Sequence, residues 1–303
     1  MFVSMENRTL IVSELEIKYN IKISSVESFV RKDPGFDNLL LKLNCKDGVY
    51  FYKEIPKHSI EENLNQVYCQ LSKVKSKLYM TVLPLISKDG LYCEHISSKP
   101  IMIYPFIEHT SFLDSAISID RLLSCLNELH ENIKNLDLAS HPFKTYQNWF
   151  ERGYVQIKKR INEHPLLDLL EKFLINRLMV LDFKVGNIHG DLHPSNIWLN
   201  TKNDLYFSDF DNLQKGVYAQ DFFDSVEKYF VLDETRAFIA DSDFIKIDSF
   251  SKKIISNVTK DDLAYLLIRP KLGDLFDPRS NLNEAQIKKR LDQLFLFLKK
   301  NAS

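Results

Sequence analysis

Between positions 187 and 212 the chain reads NIHGDLHPSNIWLNTKNDLYFSDFDN, and this stretch restricts the fold more than any other. Polar groups crowd its first half: His189, Asp191, His193, Ser195 and Asn196. Ile197 to Leu199 is apolar, Thr201 to Asp204 is a polar turn, and Leu205 to Phe207 is apolar again. Two short apolar runs about a polar turn predict a β-hairpin. A hairpin returns the chain to its starting point, so Asp191 and Asn196 are expected near Asp209. The rest of the fold must leave these polar ends room to meet.

The first third reads as strand-rich with one helix. In DNLLLKLNCKDGVYFYKEI (37–55) two apolar runs flank Lys46-Asp47-Gly48, and Asp-Gly in that setting is a hairpin signal. Val49 to Ile55 alternates so as to set Lys53 on one face, and Pro56 stops the strand. Ser59 with Glu62 three residues later makes a capping box. Ile60, Leu64, Val67, Tyr68 and Leu71 then follow helical spacing, which predicts a helix to about Lys77. Leu91 to His95 and Ile101 to Ile107 read as further strands, with Pro105 at a strand end or connector. Beyond residue 107 the pattern is helical over 120–132, 144–160, 165–183 and from Asp221 to Lys300. No Gly/Ser-rich linker intervenes. The shift from β to α pattern places a boundary near Phe106, giving lobes 1–106 and 107–303.

Composition narrows the classes. A chain of 303 residues fits one large domain or two lobes, and 21 Phe with 13 Tyr supply ample apolar area for a core. With 40 basic and 41 acidic side chains there is no general field for phosphate backbones, so nucleic acid is not an expected partner. No run of 18 apolar residues is present, so no membrane span is expected. Cys45, Cys69, Cys93 and Cys125 form no CxxC pair, which speaks against structural zinc and for reduced thiols in a cytoplasmic protein.

Asp191, Asn196 and Asp209 carry the chemistry. Phosphoryl transfer needs a carboxylate to orient the attacking hydroxyl, and metal ions that bridge phosphates. Asn196 and Asp209 are hard oxygen donors suited to Mg2+. Asp191, five residues before Asn196, has the D-x-x-x-x-N spacing of a kinase catalytic loop, and an Asp-Phe pair after a hairpin is where a metal-binding aspartate belongs.

HGDLHPSN followed by SDFD resembles the aminoglycoside phosphotransferase and choline kinase superfamily, nearest its homoserine kinase-type, spore-coat-type and stress-response kinase branch. The resemblance covers roughly residues 25–230. It implies an α+β, bilobal, protein-kinase-like fold: a β-rich N-lobe with one long helix, and a mainly helical C-lobe. It implies Asp191 as catalytic base or hydroxyl positioner, Asn196 and Asp209 as Mg2+ ligands, and His189 as a brace for the loop. Lys53 would contact the α/β-phosphates, with Glu61 or Glu62 to position it. Glu61 is the better placed, sharing a flank with Leu64 and Tyr68. Ile103 to Ile107 would be the hinge, with Tyr104, Phe106 and Ile107 against adenine through the backbone. The implied reaction is transfer from ATP to a small-molecule hydroxyl. A protein Ser/Thr kinase and a nucleotide-binding pseudokinase are the competing readings. ATP against GTP stays open.

The sequence also departs from the kinase pattern. The phosphate loop expected over Arg31 to Leu39 has one glycine, Gly35, and Asp211 replaces the Gly of DFG, as a second metal contact or as a loop stabiliser. Asp221 and Asp224 read as helix-flanking residues and Trp198 as hairpin packing. Residues 201–248 carry eleven acidic and five basic side chains, read mainly as a solvated face.

Overall fold

Residues 5–28, 39–55, 61–138, 144–161, 163–232, 237–276 and 282–301 are described by a computed structural model. The described residues begin with helix α1 (Met5–Tyr19) and continue into strands β1 (Ile23–Ser28), β2 (Leu40–Cys45) and β3 (Gly48–Glu54). Helix α2 (Glu61–Leu71) follows, then β4 (Met80–Thr81), β5 (Glu94–Ile96) and β6 (Lys99–Pro105). Five strands form one sheet in the order β1-β2-β3-β6-β5. The β2–β3 hairpin turns at Asp47-Gly48, where Gly48 has φ +155 and Cys45 pairs with Gly48.

Strand alternation gives each face of this sheet a different task. Leu41, Leu43, Tyr52, Ile101 and Ile103 point to one side and pack on Ile11, Leu15 and Tyr19 of α1, spaced four residues apart along one helix face. Lys18 Nζ closes that contact on Glu94 Oε2 at 2.7 Å. Met102 and Tyr104 point the other way, among Leu64, Tyr68 and Leu71 of α2. Lys53 pairs with Met102 across β3 and β6 and shares this second face.

Strand β7 (His109–Ser111) leads into α3 (Ile119–Ile133), α4 (Lys144–Arg160) and α5 (Pro165–Asn176), then β8 (Asp182–Phe183), β9 (Val185–Ile188), β10 (Ile197–Asn200), β11 (Leu205–Phe207) and β12 (Gln214–Val217). Helices α6 (Tyr218–Ser225), α7 (Asp241–Ile254), α8 (Lys260–Phe276) and α9 (Glu284–Asn301) complete the C-terminal part. Ser118 caps α3, which buries Leu122, Leu126, Leu129 and Ile133. A reciprocal capping box starts α8: Asp262 N–H donates to Thr259 Oγ1 (3.1 Å), and Thr259 N–H donates to Asp262 Oδ2 (2.9 Å). Arg177 anchors the same carboxylate with two bonds, 2.9 and 2.6 Å.

The α+β architecture matches the expectation, with a sheet first and helices after it. The strand expected at Leu91 to His95 forms over Glu94–Ile96, and the helical stretch expected from Asp221 is interrupted by short strands at Val231–Leu232, Ala237–Phe238 and Ile255–Ser256. Three more details differ. A second helix, α1, precedes the sheet. Helix α2 ends at Leu71 rather than Lys77. Helix α5 stops at Asn176, and the chain reaches β8 through a 3-10 turn at Leu178–Val180. Ser59, the phosphate-loop segment 31–38 and the side chains of Glu61 and Glu62 lie outside the described residues. No described helix is long and apolar enough to cross a membrane, and none of the four cysteines is in a disulfide.

Candidate active site

The site is assembled on the β10–β11 hairpin. Ile197 pairs with Phe207, Trp198 with Tyr206 and Leu199 with Leu205. The turn is held by Asn200, whose side-chain oxygen accepts from the N–H groups of Lys202 (2.9 Å) and Asp204 (2.8 Å). Ile197 and Phe207 are fully buried, which fixes the register. The pairing continues one step past the strands: Ser208 donates to the Asn196 carbonyl from its N–H (3.0 Å) and from its hydroxyl (3.2 Å). Asn196 and Asp209 are thereby held at the same end of the hairpin. Strand β4, from the first third of the chain, pairs in parallel with β11 and widens this sheet.

The loop before the hairpin is tied down by its own side chains. His189 is completely buried; its Nε2 donates to the Ser208 carbonyl (2.8 Å) and its Nδ1 accepts from the Asp191 N–H (3.4 Å). A carbonyl partner at Nε2 and a donor at Nδ1 fix a single neutral tautomer. Asn196 Nδ2 donates to the Asp191 carbonyl (2.8 Å), and this leaves its Oδ1 for another partner. Gly190 has φ +83, and a Cβ there would lie 2.3 Å from the Asn212 carbonyl, so both conformation and space require glycine. The Asp191 carboxylate is 44% exposed and lies 3.8 Å from His193 Nε2.

Asp221 has a larger structural role than its sequence context indicates. It is completely buried on α6 and accepts from His189 N–H (2.8 Å), Gly190 N–H (2.9 Å) and His130 Nε2 (3.0 Å). Burial raises its pKa, but the His130 bond and the loop N–H groups outweigh that and hold it below the usual aspartate value. No local motif marks Asp221, because its partners are 31 to 91 positions away. Asp224, a turn later, pairs with Arg269; burial pushes its carboxyl up to about 7 against the pull of that guanidinium.

The N-terminal sheet supplies the last charged group. Lys53 Nζ donates to Asp209 Oδ1 and to Asp211 Oδ2, each at 2.7 Å. Asp211 Oδ1 accepts from the Tyr68 hydroxyl at 2.7 Å, and the Tyr68 and Tyr104 hydroxyls lie 2.9 Å apart. Burial would lower the Lys53 pKa, yet the Asp211 and Asp209 charges hold it above the usual lysine value. Burial likewise raises the Asp209 carboxyl, and Lys53 more than reverses it, so Asp209 titrates low. Asp211 is raised, by burial and by the Asp209 charge beside it. Asp209 itself adopts φ 63, ψ 56, a left-handed conformation that costs a non-glycine residue about 1 kcal/mol or more.

The structure therefore brings Lys53, Asp209 and Asp211 into direct contact, and links Asp191, Asn196 and Asp209 through the loop and hairpin. It places the expected hinge residues less uniformly. Tyr104 lies within β6 with its side chain buried toward Tyr68, and the Phe106 N–H is used by the Val49 carbonyl (2.9 Å). The Ile107 carbonyl contacts His109 Nδ1 at 2.7 Å. A surface recess of about 470 Å3, lined by Gln70, Lys73, Val74, Lys75, Asn132 and Leu136, opens at the far end of α2 and holds none of these groups.

Residues 83–243 match the phosphotransferase enzyme family, APH, a span that includes Asp191, Asn196 and Asp209. The chain belongs to this family. It is a kinase, a phosphotransferase. No functionally curated protein matches it. Among solved structures it is similar to spectinomycin phosphotransferase APH(9)-Ia in complex with ADP and spectinomycin, at 16% identity over 96% of this chain and 93% of that one, with a TM-score of 0.57. It is similar to choline kinase LicA from Streptococcus pneumoniae at 15% identity, covering 97% and 99% of the two chains, TM-score 0.56. Macrolide 2'-phosphotransferase MphH from Brachybacterium faecium is similar at 12% identity, covering 96% and 98%, TM-score 0.56. These likenesses, all at low identity, show a shared fold.

Proposed function

We propose that this chain transfers the γ-phosphate of ATP, in a Mg2+-dependent reaction, to a hydroxyl of a small molecule of the aminoglycoside, aminoalcohol, homoserine or sugar class. The observation that carries the proposal is the 2.7 Å contact between Lys53 and Asp209, which joins the nucleotide face of the sheet to the end of the hairpin across 156 positions. The neighbours solved with ADP or AMP support nucleotide use by this fold.

The residues fit a divalent cation of the Mg2+ type. Asp209 and Asn196 offer oxygen donors from one end of the hairpin, and Asn196 has already spent its N–H on Asp191. Among the described residues no group of three or more His, Cys, Asp or Glu forms a closed cage. Mg2+ suits such a half-site, because its shell commonly includes water and phosphate oxygens. When bound, the ion would neutralise charge on the transferring phosphoryl group.

Each protein group then has a task. We assign residues 1–106 to the nucleotide-binding lobe and 107–303 to the lobe carrying the catalytic loop and acceptor pocket. Adenine would lie against the hinge, with the Phe106 carbonyl and the Ile107 N–H as its polar contacts, since the Phe106 N–H is committed to Val49. Lys53 would hold α/β-phosphate oxygens, with Glu61 on α2 as a further partner. Asp191 would accept a hydrogen bond from the acceptor hydroxyl and turn its oxygen in line with the γ-phosphorus. As the O–P bond to the acceptor forms and the β–γ bridge breaks, the hydroxyl proton passes toward the Asp191 carboxylate and ADP leaves. A screen of hydroxyl-bearing amines, amino acids and sugars for acceptor-dependent ADP release tests the assignment. Release that depends on an acceptor and on Mg2+ is the expected result; ADP release that no acceptor class stimulates, in the presence of Mg2+, would reject it.

A further inference from the structure

We infer that Tyr68 is a positioning residue for Lys53, acting through Asp211. The inference rests on the kinase reading above and adds to it a residue that the reaction scheme does not contain. Lys53 carries its charge on a flexible four-carbon stem, so its usefulness to a phosphate depends on what holds it. It has two carboxylate partners among the described residues, Asp209 and Asp211, each at 2.7 Å. Asp209 is the partner that a cation would claim. Of these two, Asp211 is the one left to hold Lys53 while nucleotide is bound, beside the Glu61 assigned above.

Asp211 is in turn held from the opposite oxygen. Its Oδ2 faces Lys53 and its Oδ1 accepts from the Tyr68 hydroxyl at 2.7 Å. Tyr68 has one hydroxyl proton and donates it to Asp211. The 2.9 Å contact between the two tyrosines must then run from the Tyr104 hydroxyl to the Tyr68 oxygen. The Met102 sulfur at 3.5 Å is a second, weaker acceptor for the Tyr104 hydroxyl, and from Tyr68 onward the chain through Asp211 to Lys53 has one direction. Hydrogen bonds in series polarise one another, most of all away from water.

Tyr68 is fully buried, and its ring is fixed between Tyr92 (centroids 5.9 Å apart) and Tyr104 (6.4 Å, edge-on). Its hydroxyl is therefore set in place before any ligand binds, the condition for accurate placement of a charged group. Tyr68 sits on α2, so this route couples the helix to Lys53 through a rigid ring. It also explains an aspartate at position 211, where the kinase motif has glycine: a glycine offers nothing for Lys53 or Tyr68 to hold.

The test is a double-mutant cycle on Mg2+·ATP binding by titration calorimetry, which needs no knowledge of the acceptor. Wild type, Tyr68→Phe, Asp211→Asn, Lys53→Met and the two combinations with Lys53→Met are compared, with melting curves to establish folding. Losing one charge-assisted bond at a buried site weakens binding about tenfold or more, so Tyr68→Phe and Asp211→Asn should each do so in the wild-type background. In the Lys53→Met background the same substitutions should change affinity by less than about twofold, because their target is gone. A general structural role would give equal losses in both backgrounds, and that result, or no loss in the wild-type background, overturns the proposal. If Tyr68→Phe does not fold, the Asp211→Asn pair tests the link to Lys53 through which Tyr68 must act, and equal losses in the two backgrounds overturn the proposal. Wild type that binds Mg2+·ATP, with Lys53→Met weaker, keeps the kinase reading intact whatever Tyr68 does. Wild type that does not bind overturns both.

Discussion

Asp221→Ala is the most informative change outside the reacting groups. The carboxylate is fully buried and is the acceptor for His189 N–H, Gly190 N–H and His130 Nε2 at 2.8, 2.9 and 3.0 Å. Its removal leaves three donors around an apolar void. Each buried donor without a partner costs about 1–3 kcal/mol, and water entering the void recovers part of this, so the loss should be about 4 kcal/mol. With a urea m-value of about 3 kcal/mol/M, the unfolding midpoint should fall by roughly 1.3 M. Asp221→Asn keeps one acceptor but turns an NH2 toward a donor, and should fall between the two. The pH dependence has a definite sign. The folded-state pKa of Asp221 lies below the ordinary 3.8, so its contribution is complete above that value and disappears as pH falls through the folded-state value. The alanine variant should therefore lose less stability than wild type on acidification below pH 3.8. Equilibrium urea curves at neutral and acid pH provide the assay. A midpoint within about 0.3 M of wild type at neutral pH would refute the claim that this carboxylate holds the loop.

Two further substitutions separate catalytic geometry from general stability. Gly190→Ala places a Cβ 2.3 Å from the Asn212 carbonyl at φ +83, so phosphotransfer should fall by at least about tenfold through a displaced Asp191, with a loss of roughly 1–3 kcal/mol in a thermal melt. Full activity in that variant would contradict the assigned loop geometry. Thr259→Ala removes the hydroxyl half of the α8 capping box, far along the chain from the hairpin, and should cost about 1 kcal/mol in urea while leaving turnover unchanged.

Much of this arrangement was legible because it is local in sequence. The hairpin needed only two short β-prone runs about a polar turn, and Ile197, Leu199, Leu205 and Phe207 are buried as that pattern requires. Asp47-Gly48 likewise marked its own turn. Helix α1 was hidden because its apolar residues do not keep to one side: Leu10 and Ile17 are 50% and 68% exposed while Ile11 and Leu15 are buried, and this blurs the helical period. The apolar pattern of α5 continues through Leu178 to Leu181 and so predicts a longer helix, but the chain leaves the helix at Asn176 for a 3-10 turn. Asp221 and Tyr68 carried no readable signal. Each works through partners distant in sequence, and an isolated Asp on a helix looks the same whether it faces solvent or the backbone of the 189–191 loop. The pairing of Lys53 with Asp211 was equally hidden, since it forms across 158 positions.

The central claim is that Asp191 orients an acceptor hydroxyl toward a nucleotide held by Lys53, Asn196 and Asp209. Its most direct measurement is single-turnover transfer of labelled γ-phosphate to the acceptor found by the screen, in wild type and in Asp191→Ala, with Mg2+·ATP affinity measured in parallel. The predicted result is a loss of transfer of about a hundredfold or more with nucleotide affinity within about threefold of wild type. Transfer at the wild-type rate in the Asp191→Ala protein would contradict it.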